Sequence, residues 1–222
     1  MRKTLIIAPH MDDEIMGVGG TICREVREGT EVRVCFVCNR AYDHAYDPLR
    51  INEEKHDALA AKEILGYQEH VFLDFDDERL YEKLLDTIVA LEKVVAEFKP
   101  TCVYLPHRAD NNQDHRTVFD AAMVAFRSFA TPSVEEIYSY EVSSSTEQTA
   151  PFAERVFIPN VYINIEQFVE QKKLALNCYK RETRDFPHPR SIKAVEILAM
   201  KRGIEIHCQY AEAFEAVRII KR

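Results

Sequence analysis

Long hydrophobic runs are absent from this 222-residue sequence. A membrane-spanning helix needs roughly 20 predominantly apolar residues in a row, so a membrane span is not expected. The basic start Arg2-Lys3 is followed by the apolar Leu5-Ile6-Ile7-Ala8, but Pro9-His10 ends the run after four residues. A secretory signal core needs roughly 7–15, so the segment reads as a buried first strand and the expected compartment is the cytoplasm. Positive charge is also short: 29 Lys and Arg against 37 Asp and Glu leave a net charge of −8. That balance argues against nucleic acid, which selects a basic face, and against an anionic membrane surface. Six cysteines are present without a framework spacing. Cys35 and Cys38 have the C-x-x-C form but fall in a predicted strand. Residues three apart on a strand point to opposite faces, so core thiols are expected rather than a metal or redox pair. No repeat, low-complexity tract or linker interrupts the chain, and one domain over residues 1–222 is expected.

What is present is an ordinary globular composition, 46% hydrophobic and 30% charged. Short apolar runs alternate with amphipathic helices, the pattern of a mostly parallel sheet covered on both faces. Strands are expected at Leu5–Ala8, Val32–Val37, Val71–Leu73 and Cys102–Leu105, the last ended by Pro106. Helices are expected over 15–27, closed by Gly29, over 52–65, ended by Gly66, and over 114–129. Leu80, Leu84, Ile88, Leu91, Val95 and Phe98 recur at three- and four-residue spacing and mark one long amphipathic helix. Further strands are expected at 137–140 and 161–164, helices at 167–179 and 191–202, and a last apolar stretch at 217–220. The polar, tyrosine-containing loop 39–50 is long enough to suggest a site rim.

Two polar clusters break this apolar scheme, each directly after a strand: Pro9-His10-Met11-Asp12-Asp13-Glu14 and His107 to Arg116. Ligands of open parallel sheets bind at the carboxyl ends of the strands, so neighbouring strands would bring the clusters face to face. Crowded carboxylates repel one another, and a divalent cation relieves that repulsion most directly. His10 and Asp13 can converge from a turn entering a helix, with Asp12 pointing aside, and His115 can supply a third ligand. Two imidazoles and one carboxylate leave positions open for water and substrate, as a catalytic zinc site requires. Helix capping would account for one carboxylate but not for His-x-Asp-Asp-Glu.

Ala8-Pro9-His10-Met11-Asp12-Asp13-Glu14, then Gly17 and Gly19-Gly20, resembles the signature of the LmbE-like (PIG-L) metal-dependent N-deacetylases. The likeness continues at Leu65-Gly66, Phe72-Leu73, Asp77 and Leu80, Asp114-His115-Arg116, His188-Pro189-Arg190-Ser191 and Ala211-Glu212-Ala213-Phe214. It implies an α/β, Rossmann-like three-layer sandwich with a mostly parallel sheet flanked by helices. It also implies a zinc ion, with Fe2+ as another divalent choice, and removal of acetyl groups from N-acetylglucosamine-type amides. By the same likeness the ligands are His10, Asp13 and His115, the general base is Asp12, and a substrate-contacting residue is Asp77. The chain departs from the pattern twice. Asn112 stands where the family has a histidine, and Glu54 where it often has an arginine tied to substrate binding. Asn112 can donate a hydrogen bond to an oxyanion but cannot deliver a proton. His188, in the rigid Pro187-His188-Pro189 turn, is a candidate proton donor, and Arg190 a candidate contact for an anionic substrate group.

The expected partner is a small-molecule N-acetylated amino sugar or glycoconjugate, with homo-oligomerisation left open. Three other readings stay open on sequence alone. One is a nucleotide-binding module using Gly17-x-Gly19-Gly20, although carboxylates occupy the place phosphates would need. Another is a non-haem iron oxygenase, which shares the two-His, one-carboxylate ligand set. The third is a metal-binding relative without catalysis.

Overall fold

The computed structural model describes residues 2–221. Among these residues seven strands form one sheet: β1 (Lys3–Ala8), β2 (Glu31–Asn39), β3 (Glu69–Asp76), β4 (Cys102–Pro106), β5 (Glu136–Tyr140), β6 (Val161–Asn164) and β7 (Ala211–Ile219). Their order is β3-β2-β1-β4-β5-β7-β6. β1 to β5 pair in parallel, whereas β7 runs antiparallel to both β5 and β6. Among the described residues six α-helices accompany it: α1 (Asp13–Arg27), α2 (Pro48–Leu65), α3 (Leu84–Phe98), α4 (Gln113–Ala125), α5 (Val169–Leu176) and α6 (Ile192–Glu205). Among the described residues no helix is long and apolar enough to cross a membrane.

The continuous apolar runs of β1 and β4 follow from burial on both faces. Ile6, Ala8 and Tyr104 join a cluster with residues of α1, α2, α5 and α6. Leu5, Ile7, Val103 and Leu105 join a second cluster with α3 and α4. Three layers result, and the period-two alternation of each strand decides which side chain serves which face. The sheet reverses its winding between β1 and β4, which pair directly through Thr4–Cys102, Leu5–Val103 and Ile6–Tyr104. The two polar clusters therefore leave the sheet side by side, at its topological switch point.

Boundaries differ from the sequence expectations where local geometry intervenes. Leu80–Lys83 is a separate 3-10 turn ahead of α3, with the fully buried Leu80 as its anchor. α4 stops at Ala125 because its last apolar contact is the buried Phe126; Phe129 is exposed. β7 starts well before the expected 217–220 stretch, at Ala211. Its Glu212 disguises it as polar, yet this carboxylate is buried in a pair with Lys172.

Cys35 and Cys38 do not separate onto opposite faces as expected; both lie in the α3–α4 cluster. Pairing with β3 shifts between Phe36 and Cys38, where β3 carries an extra residue, and strict alternation ends there. Both remain free, buried thiols, and burial pushes Cys35 up to about 12, in keeping with a core role. Gly17 and Gly20 sit inside α1, not in a phosphate-binding turn. An added Cβ at Gly17 would meet the Tyr140 ring at 2.2 Å, and one at Gly20 the side chain of Ile165 at 2.7 Å. These glycines serve close packing of α1, which removes the basis of the nucleotide-binding reading.

Candidate active site

The first cluster is a turn held by its own side chains. The backbone N–H of His10 donates to Asp13 Oδ2 at 2.9 Å, and that of Asp12 donates to Glu14 Oε2 at 3.1 Å. Asp12 occupies the N-cap position of α1 with φ at 121°, and its side chain makes no capping bond. A non-glycine residue in that region is strained by about 1–3 kcal/mol, and such strain gathers at functional sites. The turn thus aims the Asp12 carboxylate away from the helix end. Glu14 accepts from the buried Tyr179 hydroxyl at 2.8 Å and serves the turn; burial raises it to about 8.

Across the switch point, α4 brings in His115. Asp13 Oδ2 lies 3.2 Å from His10 Nδ1 and 3.2 Å from His115 Nε2, and the two imidazole centroids are 5.3 Å apart. All three residues are buried, with potential ligand atoms within 4.8 Å of one another. The opposite ring nitrogens face carboxylates. His10 Nε2 is 3.1 Å from Asp114 Oδ2, and His115 Nδ1 is 3.5 Å from Asp110 Oδ2. A proton held on His10 Nε2 by Asp114 leaves Nδ1 as a lone-pair donor, the arrangement that outer-shell carboxylates impose on metal-ligating histidines, whereas His115 Nδ1 faces Asp110 without a hydrogen bond.

Electrostatics agree with this arrangement. Burial alone would raise Asp13, but the His115 charge and the His10 bond outweigh it and hold its carboxyl well below the usual range. Burial disfavours a charged His115, yet Asp13 and Asp110 push its imidazole up to about 10. Burial likewise works against charge on His10, and its bonds to Asp114 and Asp13 win. This centre demands positive charge, supplied either by protons on the rings or by a cation between them. Asp13 Oδ1 and Asp12 Oδ2 are buried without hydrogen-bond partners. Donor set, charge and orphaned oxygens all fit a divalent ion.

Asp12 stands beside this centre among ion pairs that sequence reading missed. Arg40 Nη2, at the end of β2, donates to its Oδ1 at 3.2 Å, and Arg190 Nη1 lies 3.4 Å from its Oδ2. Glu182 accepts from both arginines, while Glu54 is 3.8 Å from Arg40 and takes the Tyr42 hydroxyl. Position 54 thus contributes a carboxylate, and the guanidinium comes from the end of β2. Arg40 was findable, since it follows a strand at the carboxyl edge; Glu182 carries no local signal. Asp110 and Asp114 lay within the second cluster but show their partners only in three dimensions.

An open cleft of about 390 Å3 lies over the centre, lined by His10, Arg40, Asp77, Asn112, Asp114 and Arg190 among others. Asn112 caps α4, its Oδ1 accepting from the Asp114 N–H at 2.8 Å. Asp77 is fixed by the Ala41 N–H at 2.9 Å and the Tyr46 hydroxyl at 3.2 Å, and burial raises its carboxyl. The expected rim loop is real in part: before α2 begins at Pro48, it carries Arg40 and Ala41 to the cleft and Tyr46 to Asp77. His188 is exposed and outside the lining; its Nδ1 accepts the Arg190 N–H at 3.1 Å.

Comparison with known proteins decides the family. The family described as "PIG-L: GlcNAc-PI de-N-acetylase" matches residues 5–126, which hold every residue of the three-donor centre. The chain belongs to the PIG-L family. An uncharacterized deacetylase, YaiS, of Escherichia coli (strain K12) is 30% identical over 184 residues, 79% of this chain and 89% of that protein. The N,N'-diacetylchitobiose deacetylase of Pyrococcus horikoshii superposes with a TM-score of 0.78 at 19% identity, over 98% of this chain and 84% of that one. GalB, the 4-carboxy-2-hydroxymuconate hydratase of Pseudomonas putida KT2440, gives a TM-score of 0.74 at 20% identity, over 100% and 99%. At such identities the two structures establish the fold. As a PIG-L member with a deacetylase relative, the chain is a deacetylase, a hydrolase of amide bonds.

Proposed function

We propose that the chain is a zinc-dependent hydrolase, one cytoplasmic domain over residues 1–222, that removes the acetyl group from an N-acetylglucosamine-type amide. Convergence of His10, Asp13 and His115 beside the unbonded oxygen of Asp12 carries this reading. Two imidazoles and a carboxylate suit zinc, and Fe2+ accepts the same donors. Held by these three residues, the ion supplies a Lewis acid that polarises the amide carbonyl and acidifies water toward a pKa of ~7.

The chain's own groups perform the rest. Asp12, strained outward and gripped at Oδ1 by Arg40, presents Oδ2 to take the proton of the attacking water. Asn112 Oδ1 is committed to the α4 cap, which leaves its amide N–H2 to donate to the tetrahedral oxyanion. Since Asn112 cannot deliver a proton, the one taken by Asp12 returns to the departing amine. His188 is the alternative donor, although its bond to the Arg190 N–H suits it better to shaping the turn that delivers Arg190. Asp77 accepts from sugar hydroxyls, and Arg190 meets a polar or anionic substituent at the rim.

The test is a pair of variants assayed for metal content and for acetate release from N-acetylated amino sugars. His10→Ala should lose the ion. Asp12→Asn should retain it and lose turnover by about 10²–10⁴-fold. Full activity in both variants would overturn the assignment.

A further inference from the structure

One guanidinium nitrogen stands between two carboxylates at the edge of the centre. Arg190 Nη1 donates to Glu182 Oε2, yet it lies only 3.4 Å from Asp12 Oδ2, about half an ångström beyond an ordinary N–H···O bond. Arg190 Nε is anchored on Ser144 Oγ at 2.9 Å. A small rotation about that anchor decides which carboxylate Nη1 serves.

Glu182 holds the balance. It is 5% exposed and sits in the turn between α5 and α6. Its Oε2 also takes Arg40 Nη1, and its Oε1 accepts the Tyr42 hydroxyl at 3.2 Å. Arg40 reaches Asp12 through its other terminal nitrogen, Nη2, at 3.2 Å from Oδ1. The two arginines therefore make one hydrogen bond to Asp12, on Oδ1, while Oδ2 stays buried and without a partner. A buried carboxylate oxygen left bare beside a guanidinium is unfavourable, so a competing charge has to hold the two apart. Glu54 does not take that role, since it is engaged with Arg40 and Tyr42.

We propose that Glu182 is a positioning residue for deacetylation: by drawing Arg190 aside, it keeps Asp12 Oδ2 open to the attacking water. The proposal rests on the reading of Asp12 as the base. Without the Glu182 charge, Arg190 would close on Oδ2 while Arg40 keeps Oδ1. Both oxygens would then carry a guanidinium N–H, and water would have to compete with Arg190 for the one that takes its proton.

The test variants are Glu182→Gln and Glu182→Asp, the second keeping the charge but setting it back by one methylene, with circular dichroism as the check on folding. A crystal structure of Glu182→Gln should show Arg190 Nη1 hydrogen-bonded to Asp12 Oδ2. With N-acetylglucosamine as the probe, kcat should fall at least about tenfold, short of the ~10²–10⁴-fold of losing the base. Zinc content should hold, KM should change less than kcat, and Glu182→Asp should lose less. Adding Arg190→Gln to Glu182→Gln should raise kcat again, whatever it does to KM, because it removes the group that closes on Oδ2. A merely structural role would make the second substitution deepen the loss. Where Glu182→Gln does not fold, Glu182→Asp carries the same readings. Arg190 still held off Oδ2 in the folded variant overturns the proposal. So does a wild-type kcat, a lost zinc ion, or a double variant no faster than the single. Full kcat in Asp12→Asn overturns the base assignment instead.

Discussion

Arg40 is the residue on which the charge balance beside the site turns. It pairs with three buried carboxylates, Asp12, Glu54 and Glu182, and they raise its pKa far beyond its ordinary value against the lowering effect of burial. Breaking a buried ion pair from one side typically costs about 3–5 kcal/mol. Arg40→Ala should destabilise the protein by that order in urea unfolding, and Arg40→Lys by less. Glu54 offers a separate reading of pH. Burial raises its carboxyl to about 7, so between its ordinary value and that one the folded state holds a proton the unfolded chain has released. Its contribution to stability is whole below the unfolded value, declines as pH rises toward 7, and is then lost. At ~1.4 kcal/mol per pKa unit the loss is at most about 3 kcal/mol. Unfolding measured from pH 5 to 8 should show a flatter profile for Glu54→Gln than for wild type.

At the level of elements, α1 follows the turn that holds His10 and Asp13 and is tied down at its middle. Side chains from two other elements reach its backbone midway: the Gly20 and Thr21 N–H groups donate to Glu212 of β7 at 2.9 and 2.7 Å, while Lys172 of α5 donates to the Met16 carbonyl at 2.9 Å. Lys172 and Glu212 are themselves a buried pair, 2.6 Å apart. Side chains inserted in the helix ladder thus bind α1 to both neighbours. Lys172→Met should leave Glu212 charged and unpaired and lower stability by about 3–5 kcal/mol. Gly17→Ala drives a methyl into the Tyr140 ring, whose hydroxyl donates to the Ile7 carbonyl at 2.7 Å and cannot easily yield. A cost of about 1–3 kcal/mol is expected from overpacking, read as a lower urea midpoint at unchanged slope. Neither position belongs to the three-donor centre, so metal uptake by the folded fraction should persist in both variants.

On the scale of the whole molecule, the centre joins the β1–α1 turn to the start of α4, segments far apart in sequence that meet because β1 and β4 are neighbours at the switch point. A ligand bound only by the folded chain stabilises it by RT ln(1 + [L]/Kd), about 4 kcal/mol at a thousandfold excess over Kd. Chelation should therefore lower the thermal midpoint, and zinc should restore it. In His115→Ala the midpoint should respond far less to either treatment.

The three layers, the order of elements and the acid- and histidine-rich turns were legible in the sequence, because hydrophobic period and strand-end polarity are local properties. Cys38, the early start of β7 and the end of α4 were not, since a register shift, a buried Lys–Glu pair and a packed Phe126 appear only when distant segments meet. The residues of the centre could be named from the first-cluster motif and Asp114-His115. Their partners could not: Asp110, Asp114, Arg40 and Glu182 acquire roles from contacts across the sheet edge and from surrounding loops. Residue chemistry is written in the chain, whereas which charges face one another in a low-dielectric space depends on tertiary packing, and that packing sets their protonation.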